Sequence, residues 1–520
     1  MSLLADPGRS PAAAEEAAAD PIVGPIPSMR GRVLGGLGWT GASEVVMQVV
    51  RMATAVLLAR LLAPDDYGLA AIALVFSSLV LVFSDLALGA AVVQRKHLSE
   101  DDRCSAFWMS VGAGVVFMLA GVALSQPIAA FYGEPQVAAL CAVMSATFLI
   151  TSLATTHESL LLREMAFAKL ERRMMVATAA GAVAGVVVGV HTRDAWAIVA
   201  QQLVQATTSA ILLWAFSPWR PRFRVSLASL RSLGSFSAYL VGHRLLYYLH
   251  RNADNILIGR YVGAAALGAY ALAYNIMMVP LARIAGPIQK VLGPALSRMQ
   301  DEPERIAVAW VRVVRLLALV SAPALMGMVV VAPDFVAVLL GDAWAPAVPL
   351  VQVLAWVGLL QALQSVNTDI LQARGKTSTI FRFTILFTGA HMVAFVIGLR
   401  WGVVGVAVAY AVSSTLVEPI YTWLCARELG TSPWRLLRAV RGVIEAAVLM
   451  TAVVYPLRLA LVDAGVPALG RLAASIALGA IVFAVASRWR APEAWADARG
   501  ILAQAGSRLG SRRSGSPLPG

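Results

Sequence analysis

The chain has 520 residues, of which 59% are hydrophobic and 14% charged. A soluble domain typically carries about 25% charged residues, so this composition excludes a soluble globular protein and predicts one that lies in a membrane. The net charge of +13 reflects arginines that gather in alternate loops next to anionic lipid, and it requires no nucleic-acid partner.

Apolar runs of about 20 residues, long enough to cross the hydrocarbon core of a bilayer, recur along almost the whole chain. Residues 1–34 are rich in Ala and Pro, lack the pattern of a signal peptide, and predict a disordered cytoplasmic tail. Residues 491–520 predict a second cytoplasmic tail. Between the tails we predict fourteen transmembrane helices, at 37–62, 69–93, 105–126, 136–160, 173–190, 195–216, 235–259, 266–292, 312–332, 348–371, 380–399, 402–424, 440–460 and 468–487.

Basic residues predict the orientation of these spans, because loops rich in Lys and Arg stay in the cytoplasm. With the N-terminus inside, each inner loop carries a cluster of basic residues, such as the one at 163–173. The outer loops carry only Arg60, Arg193, Arg260, Arg400, Arg458 and Arg471. The sequence therefore predicts a multi-pass membrane protein with both termini in the cytoplasm.

One stretch of the chain occurs twice. Residues 56–73 read VLLARLLAPDDYGLAAIA and residues 256–273 read ILIGRYVGAAALGAYALA, so that Arg60 meets Arg260 and Gly68 meets Gly268 at an offset of 200 positions. Six crossings separate the copies, which makes the repeat parallel, a design that transporters use to bind substrate between two halves. We predict an N-lobe at 35–218 with spans 1–6, a C-lobe at 219–425 with spans 7–12, and two further helices at 426–490.

Polar residues follow helical spacing inside the seventh span, where a central charge costs about 2.5–3.5 kcal/mol in lipid. They form two adjacent stripes: His243, Tyr247, His250 and Asp254 in one, and Arg244, Tyr248, Arg251 and Asn255 in the other. The opposite side of this helix is apolar, so we expect the stripes to face water or a polar ligand.

The first span has a milder stripe of Glu44, Gln48 and Arg51, and Arg51 lies 200 positions before Arg251. Two facing lobes would place these guanidinium groups opposite each other, an arrangement suited to bidentate phosphate binding. The alternative is structural pairing of Arg51 with Glu44 and of Arg251 with Asp254.

Other polar residues within predicted spans either line a cavity or satisfy helix contacts. These residues include Asp85, Arg283, Lys290 and Gln364. The sequence contains none of the common enzyme motifs that we considered. The GKT sequence at 375–377 lacks the first glycine of a Walker A loop, and neither HExxH nor GxSxG occurs. The three cysteines stand alone, so we predict no enzyme, no cofactor and no metal site.

Several stretches together resemble the Wzx-type polysaccharide flippases of the multidrug/oligosaccharidyl-lipid/polysaccharide superfamily, close to the colanic-acid and exopolysaccharide translocases. They are LLARLLAPDDYGLAAIA, AAVVQRKHLSEDD, IAAFYGEPQ, LLREMAFAKLERR, RNADNILIGRYVGAAALGAYALAYNIMMVP and VLLGDAWAPAVPLVQVLA, in order over residues 35–425. Each motif alone is weakly specific for the family, whereas their order along the chain is specific.

The resemblance implies an all-α polytopic fold with about fourteen helices, in two pseudo-symmetric six-helix lobes plus two C-terminal helices. It implies a transporter of the bacterial inner membrane that flips undecaprenyl-pyrophosphate-linked oligosaccharides to the periplasmic leaflet for exopolysaccharide or O-antigen (lipopolysaccharide) biosynthesis. The expected partners are this substrate and membrane lipids, with a polymerase and a chain-length regulator of the same pathway as further candidates. We expect a functional monomer, because the cavity would lie within one chain.

We expect alternating access without chemistry, and each polar residue then receives a role. Pyrophosphate would bind Arg51, Arg251, Arg244, Arg283 and Lys290; sugar would bind Tyr247, Tyr248, Asn255, Gln48 and Gln364; Asp254, His250, Glu44 and Asp85 are candidates for ion coupling.

Three rival functions remain open at this point. A multidrug or cation antiporter of the same superfamily would favour an acidic cavity, and a peptidoglycan-precursor flippase would be essential for viability. A polysaccharide polymerase or ligase would need a large periplasmic loop, whereas the longest outer loop, around 333–347, is short.

Overall fold

The computed structural model describes residues 29–84, 92, 98–226, 248 and 251–500, without the side chains of 29–43, 45, 79–84, 280–291, 294 and 295. These residues form helices joined by short turns, with no strand among them. The helices are α1 (Met29–Leu61), α2 (Pro64–Ser84), α3 (Glu100–Tyr132), α4 (Gln136–Met144), α5 (Ala146–Arg163), α6 (Phe167–Thr192), α7 (Trp196–Phe216), α8 (251–261), α9 (Ala264–Arg298), α10 (Pro303–Leu339), α11 (Val348–Gln364), α12 (Asn367–Ala373), α13 (Thr377–Gly398), α14 (Gly402–Glu428), α15 (Pro433–Asp463), α16 (Ala468–Arg490) and α17 (492–500). Two 3-10 helices, Asp342–Ala347 and Leu399–Trp401, precede α11 and α14.

Nine segments of the described chain are long and apolar enough to cross a membrane, and one of them, Thr377–Glu428, contains two predicted spans. The predicted all-α polytopic class is confirmed. The four remaining predicted spans are the first two of each lobe, and each runs partly through residues or side chains outside the described ranges: 37–62, 69–93, 235–259 and 266–292.

Helix boundaries extend beyond the predicted hydrophobic spans. Helix α1 begins at Met29, inside the segment predicted as an N-terminal tail, and α17 lies inside the segment predicted as a C-terminal tail. Local capping accounts for other ends. The Ser99 hydroxyl accepts a hydrogen bond from the Asp102 N–H at 3.1 Å to start α3, and Gly133 ends this helix in the left-handed region with φ of 75°.

The two lobes repeat the same helix pairings. In the N-lobe, α3 packs against α5, α5 against α7, α6 against α7 and α2 against α4. In the C-lobe, α10 packs against α11, α11 against α14, α13 against α14 and α9 against α11. These are equivalent spans in the two halves, so the predicted pseudo-symmetric lobes are confirmed.

The two additional helices, α15 and α16, pack on α10 of the C-lobe. At one end of α10, the Asp334 carboxylate is 1% exposed and forms ion pairs with Arg458 and with Arg471, the latter at 2.7 Å. In the first half of α10, Arg315 pairs with Asp497 of α17 at 2.6 Å. Ion pairs at two separate levels of one helix therefore fasten the C-terminal segment to the C-lobe.

The segment at 217–226, which leaves the N-lobe toward the C-lobe, lies along the first turns of α3. The Trp219 indole donates to Glu100 Oε1 at 2.9 Å, and the Trp108 indole donates to the Arg222 carbonyl oxygen at 2.9 Å. Trp108 also stacks on Phe223 with ring centroids 4.1 Å apart. This segment is therefore held by the N-lobe.

Candidate functional site: the contact between the lobes

Gly68 and Gly268 bring the backbones of α2 and α9 into direct contact. A Cβ atom on Gly68 would lie 1.8 Å from the Ala264 carbonyl oxygen, and one on Gly268 would lie 1.9 Å from the Pro64 carbonyl oxygen. The two glycines are 200 positions apart, as are Pro64 and Ala264, so each half makes the same contact with the other. The repeat in the sequence thus marks the place where the lobes meet, and we call this side of the bundle the closed end.

Aromatic residues pack around this glycine contact. Trp344 is completely buried, and its indole donates to the Ala59 carbonyl oxygen at 2.6 Å. Its ring meets Tyr67 edge to face, with centroids 5.4 Å apart. Both lobes contribute to the same buried apolar cluster here, so the closed end leaves little space for a polar ligand.

Two arginines of the repeat cross between the lobes at the closed end. Arg60 donates through Nε to the Leu339 carbonyl oxygen at 2.8 Å and through Nη2 to the Val338 carbonyl oxygen. The Arg260 guanidinium carbon lies 5.5 Å from the ring centroid of Phe131. Leu339 and Phe131 lie in the last turns of α10 and α3, which are equivalent helices of the two lobes.

Contact between the lobes continues toward the middle of the bundle. The buried Tyr248 hydroxyl donates to the Val75 carbonyl oxygen of α2 at 2.7 Å. Val75 follows Pro64 by eleven residues, which is about 16 Å along a helix. Tyr248, predicted to bind sugar, therefore has its hydroxyl bound to the opposite lobe.

Arg51 lies at a similar depth, ten residues or about 15 Å before the end of α1 at Leu61. Its side chain is 39% exposed and lies 3.9 Å from Glu44, which is 45% exposed. The pairing predicted as the structural alternative therefore exists, but it is long and open. A charge exposed at this depth is expensive against hydrocarbon, which favours a water-filled space beside Arg51.

Arg251 is also exposed, and it lies ten residues before the end of α8 at residue 261. Two polar groups near these arginines are free to accept a hydrogen bond: Gln48 Oε1 and Asn255 Oδ1 are buried without a partner among the described residues. Buried polar atoms usually have a partner. Unpartnered acceptors beside one partly exposed and one exposed guanidinium group are what a site for a polar ligand requires.

Other predicted site residues have partners within the C-lobe. The Asp254 carboxylate, 4% exposed, accepts from the Tyr270 hydroxyl at 2.9 Å and from the Asn255 N–H at 2.8 Å. The Gln364 amide donates to the Thr422 hydroxyl and accepts from the Asn367 amide. Asp254 and Gln364 thus contribute to the interior of the C-lobe.

The remaining predicted residues lie outside the described side chains: Arg244, Arg283, Lys290, Tyr247, His250 and Asp85. The structure brings Glu44, Gln48 and Arg51 together on α1, and Arg251, Asp254 and Asn255 on α8. Within the described ranges, no group of three or more His, Cys, Asp or Glu residues is arranged to hold a metal ion.

Sequence reasoning missed the partners that hold this region together. Tyr270 stands in the repeat where the first copy has Ala70, and that difference was the available signal for a role of its own. Glu418 of α14, one of the polar residues noted within the predicted spans, is 3% exposed, and both carboxylate oxygens lack a hydrogen-bond partner among the described residues. The contact of Trp344 with Ala59 joins residues far apart in the chain, and no local pattern indicates it.

Comparison with known sequences gives consistent matches. A family model described as "Polysaccharide biosynthesis protein" matches residues 57–349. The lipopolysaccharide biosynthesis protein WzxC of Escherichia coli (strain K12) is 28% identical over 386 residues, covering 74% of this chain and 78% of WzxC. The teichuronic acid biosynthesis protein TuaB of Bacillus subtilis (strain 168) is 27% identical over 464 residues, covering 88% of this chain and 95% of TuaB.

Two solved structures share the fold of this chain. The lipid II flippase MurJ in an inward closed conformation aligns with a TM-score of 0.67 at 12% identity, covering 86% of this chain and 98% of MurJ. An inward-facing multidrug resistance MATE family transporter of the MOP superfamily aligns with a TM-score of 0.58 at 15% identity, covering 74% of this chain and 94% of the transporter. At these identities the likeness concerns the fold alone.

Proposed function

Because the chain belongs to the polysaccharide biosynthesis protein family, we propose that it flips undecaprenyl-pyrophosphate-linked oligosaccharide repeat units from the cytoplasmic to the periplasmic leaflet for exopolysaccharide or O-antigen export. The observation that carries the proposal is the pair Arg51 and Arg251. One lies in each lobe, each about 15 Å from the closed end, and they are 200 positions apart. The Arg51 side chain is 39% exposed and Arg251 is exposed.

A pyrophosphate group needs positive charge and hydrogen-bond donors at membrane depth. A guanidinium group supplies both, and it can donate two parallel hydrogen bonds to phosphate oxygens. Glu44 lies 3.9 Å from Arg51 in an open pair, and such pairs contribute little free energy. A diphosphate therefore displaces Glu44 at small cost, while Gln48 and Asn255 accept hydrogen bonds from sugar hydroxyls.

Transport requires no covalent step. The closed end faces the periplasm, as the distribution of arginines in the loops predicts, and the lipid-linked head group enters between the lobes from the cytoplasmic side. Rocking of the lobes about their contact then separates α2 from α9 and exposes the head group on the other side. The polyprenyl tail stays in lipid throughout.

A deletion strain tests the proposal. We expect membranes of this strain to accumulate undecaprenyl-pyrophosphate oligosaccharides, measured in lipid extracts, and the cell surface to lose polymer. Complementation with the wild-type chain restores both, whereas Arg51→Ala and Arg251→Ala restore neither despite normal amounts of protein in the membrane. Arg400→Ala, which removes an exposed arginine elsewhere, restores export and serves as the matched control.

Two outcomes contradict the proposal. An unchanged lipid-linked pool with intact surface polymer excludes the flippase and favours antiport of small cations, which drug-resistance assays on the same strain would detect. Full export by well-expressed Arg51→Ala and Arg251→Ala proteins excludes the arginine pair as the pyrophosphate site.

A further inference from the structure

Arg60 and Arg260 are reciprocal contacts across the closed end. Each leaves the last turn of the first helix of its lobe, and each reaches the last turn of the third span of the opposite lobe. Arg60 meets the carbonyl oxygens of Val338 and Leu339, which have no partner within α10 because they lie at its end. A guanidinium at this position also interacts favourably with the helix dipole.

Neither arginine has a carboxylate partner among the described residues, and this distinguishes them from Arg458 and Arg471. Those two share the buried carboxylate of Asp334, and separating them would leave an unpaired charge in the protein. The partners of Arg60 are neutral carbonyl groups, and the partners of Arg260 are the rings of Phe131 and Tyr261. Contacts of this kind break and re-form readily.

We propose that Arg60 and Arg260 form a paired latch that holds the closed end shut and is released in each transport cycle. Gly68 and Gly268 allow the backbones of α2 and α9 to touch, and the two arginines tie α1 and α8 to the ends of α10 and α3 on either side of that contact. The contacts of these arginines suit a reversible role, because their carbonyl and ring partners carry no charge that would be left unpaired after release. The inference rests on the proposed function for the transport cycle itself and for the membrane face that the latch closes.

Cysteine accessibility tests the latch without substrate. Gly68, Ala71 and Val75 share one face of α2, and Ala71 is 7% exposed, so Ala71→Cys reports on separation of the lobes. Native Cys104, Cys141 and Cys425 are buried, and the parent protein gives their background labelling. The reagent is a membrane-impermeant maleimide added to right-side-out and, separately, to inside-out vesicles.

We expect Arg60→Ala combined with Arg260→Ala to label about five-fold faster or more than the parent reporter, only in right-side-out vesicles. Each single variant should have a labelling rate between those of the double variant and the parent reporter. Arg60→Lys keeps the charge but loses the two-pronged donor geometry, so we expect it to label faster than the parent reporter. Arg400→Ala leaves the rate unchanged. Size-exclusion chromatography in detergent verifies that each variant is folded.

An unchanged labelling rate in the folded double variant overturns the latch. Faster labelling only in inside-out vesicles keeps the latch and contradicts the orientation assumed in the proposed function. A third outcome combines two results: the double variant labels faster from outside, and deletion of the gene leaves lipid-linked sugars and surface polymer unchanged. This outcome supports the latch and excludes the proposed substrate.

Discussion

The two halves make the same backbone contact at the closed end, but they have different polar side chains farther toward the middle of the bundle. In the second half, the buried Asp254 carboxylate accepts from the Tyr270 hydroxyl of the neighbouring helix at 2.9 Å. The equivalent positions of the first half are Thr54 and Ala70. Thr54 donates only within its own helix, to the Val50 carbonyl oxygen at 2.7 Å. A repeat thus preserves positions where backbones touch, while its polar chemistry can differ between the copies.

The C-lobe also carries two helices that the N-lobe lacks, and Asp334 fastens them. We expect Asp334→Ala to give the largest loss of stability, about 3–5 kcal/mol, because it leaves Arg458 and Arg471 beside an empty buried position. Thermal unfolding in detergent measures the loss. The exposed Asp342 makes a matched control, for which Asp342→Ala should change stability by about 0.5 kcal/mol or less. Equal effects of the two variants would contradict the fastening role.

The glycine contact tests how far the halves are equivalent. We expect Gly68→Ala and Gly268→Ala to destabilise the protein by similar amounts, about 1–3 kcal/mol each, because both methyl groups would collide with carbonyl oxygens of the other lobe. Thermal unfolding measures the two variants side by side. Gly112→Ala, where a Cβ atom meets nothing within 4 Å, controls for the change from glycine in a helix. A large loss of stability for one glycine variant and none for the other would show that the two halves do not contribute equally to the stability of the contact.

The pair in the second half gives the smallest expected change. Tyr270→Phe removes the hydroxyl that donates to Asp254, and we expect a loss of about 1–2 kcal/mol. Thr54→Val changes the equivalent region of the first half and should cost less, because Thr54 bonds only within its helix. If both substitutions lower the stability to thermal unfolding by the same amount, the hydrogen bond between Tyr270 and Asp254 does not make the second half more stable than the first.

Much of this architecture follows from sequence because it depends on local patterns. The repeat of Arg60 and Gly68 at positions 260 and 268 predicted two parallel lobes, and the structure then placed the repeated glycines at their contact. Hydropathy located the spans. Helix ends were less predictable, since hydropathy marks the part of a helix in hydrocarbon, whereas α1 begins at Met29, before the apolar run.

The candidate site was only partly predictable for a different reason. Helical spacing grouped Arg51 with Gln48 and Arg251 with Asn255, because both pairs lie on single helices. Spacing within one helix contains no information about its neighbours, so the pairing of Asp254 with Tyr270 and of Tyr248 with Val75 appears only in the fold. The structural alternative paired Arg251 with Asp254, and the structure places the Tyr270 hydroxyl on that carboxylate, with the charge of Arg251 close enough to act on it.

The reciprocal contact of Gly68 with Ala264 and of Gly268 with Pro64 has a meaning for the origin of the chain. In an isologous interface, the same patch on two identical subunits meets itself across a two-fold axis. A half-length ancestor bearing this glycine-centred patch would associate with a second copy of itself through the contact seen here. Gene duplication and fusion would then convert that homodimer into one polypeptide, after which each half was free to acquire its own polar residues.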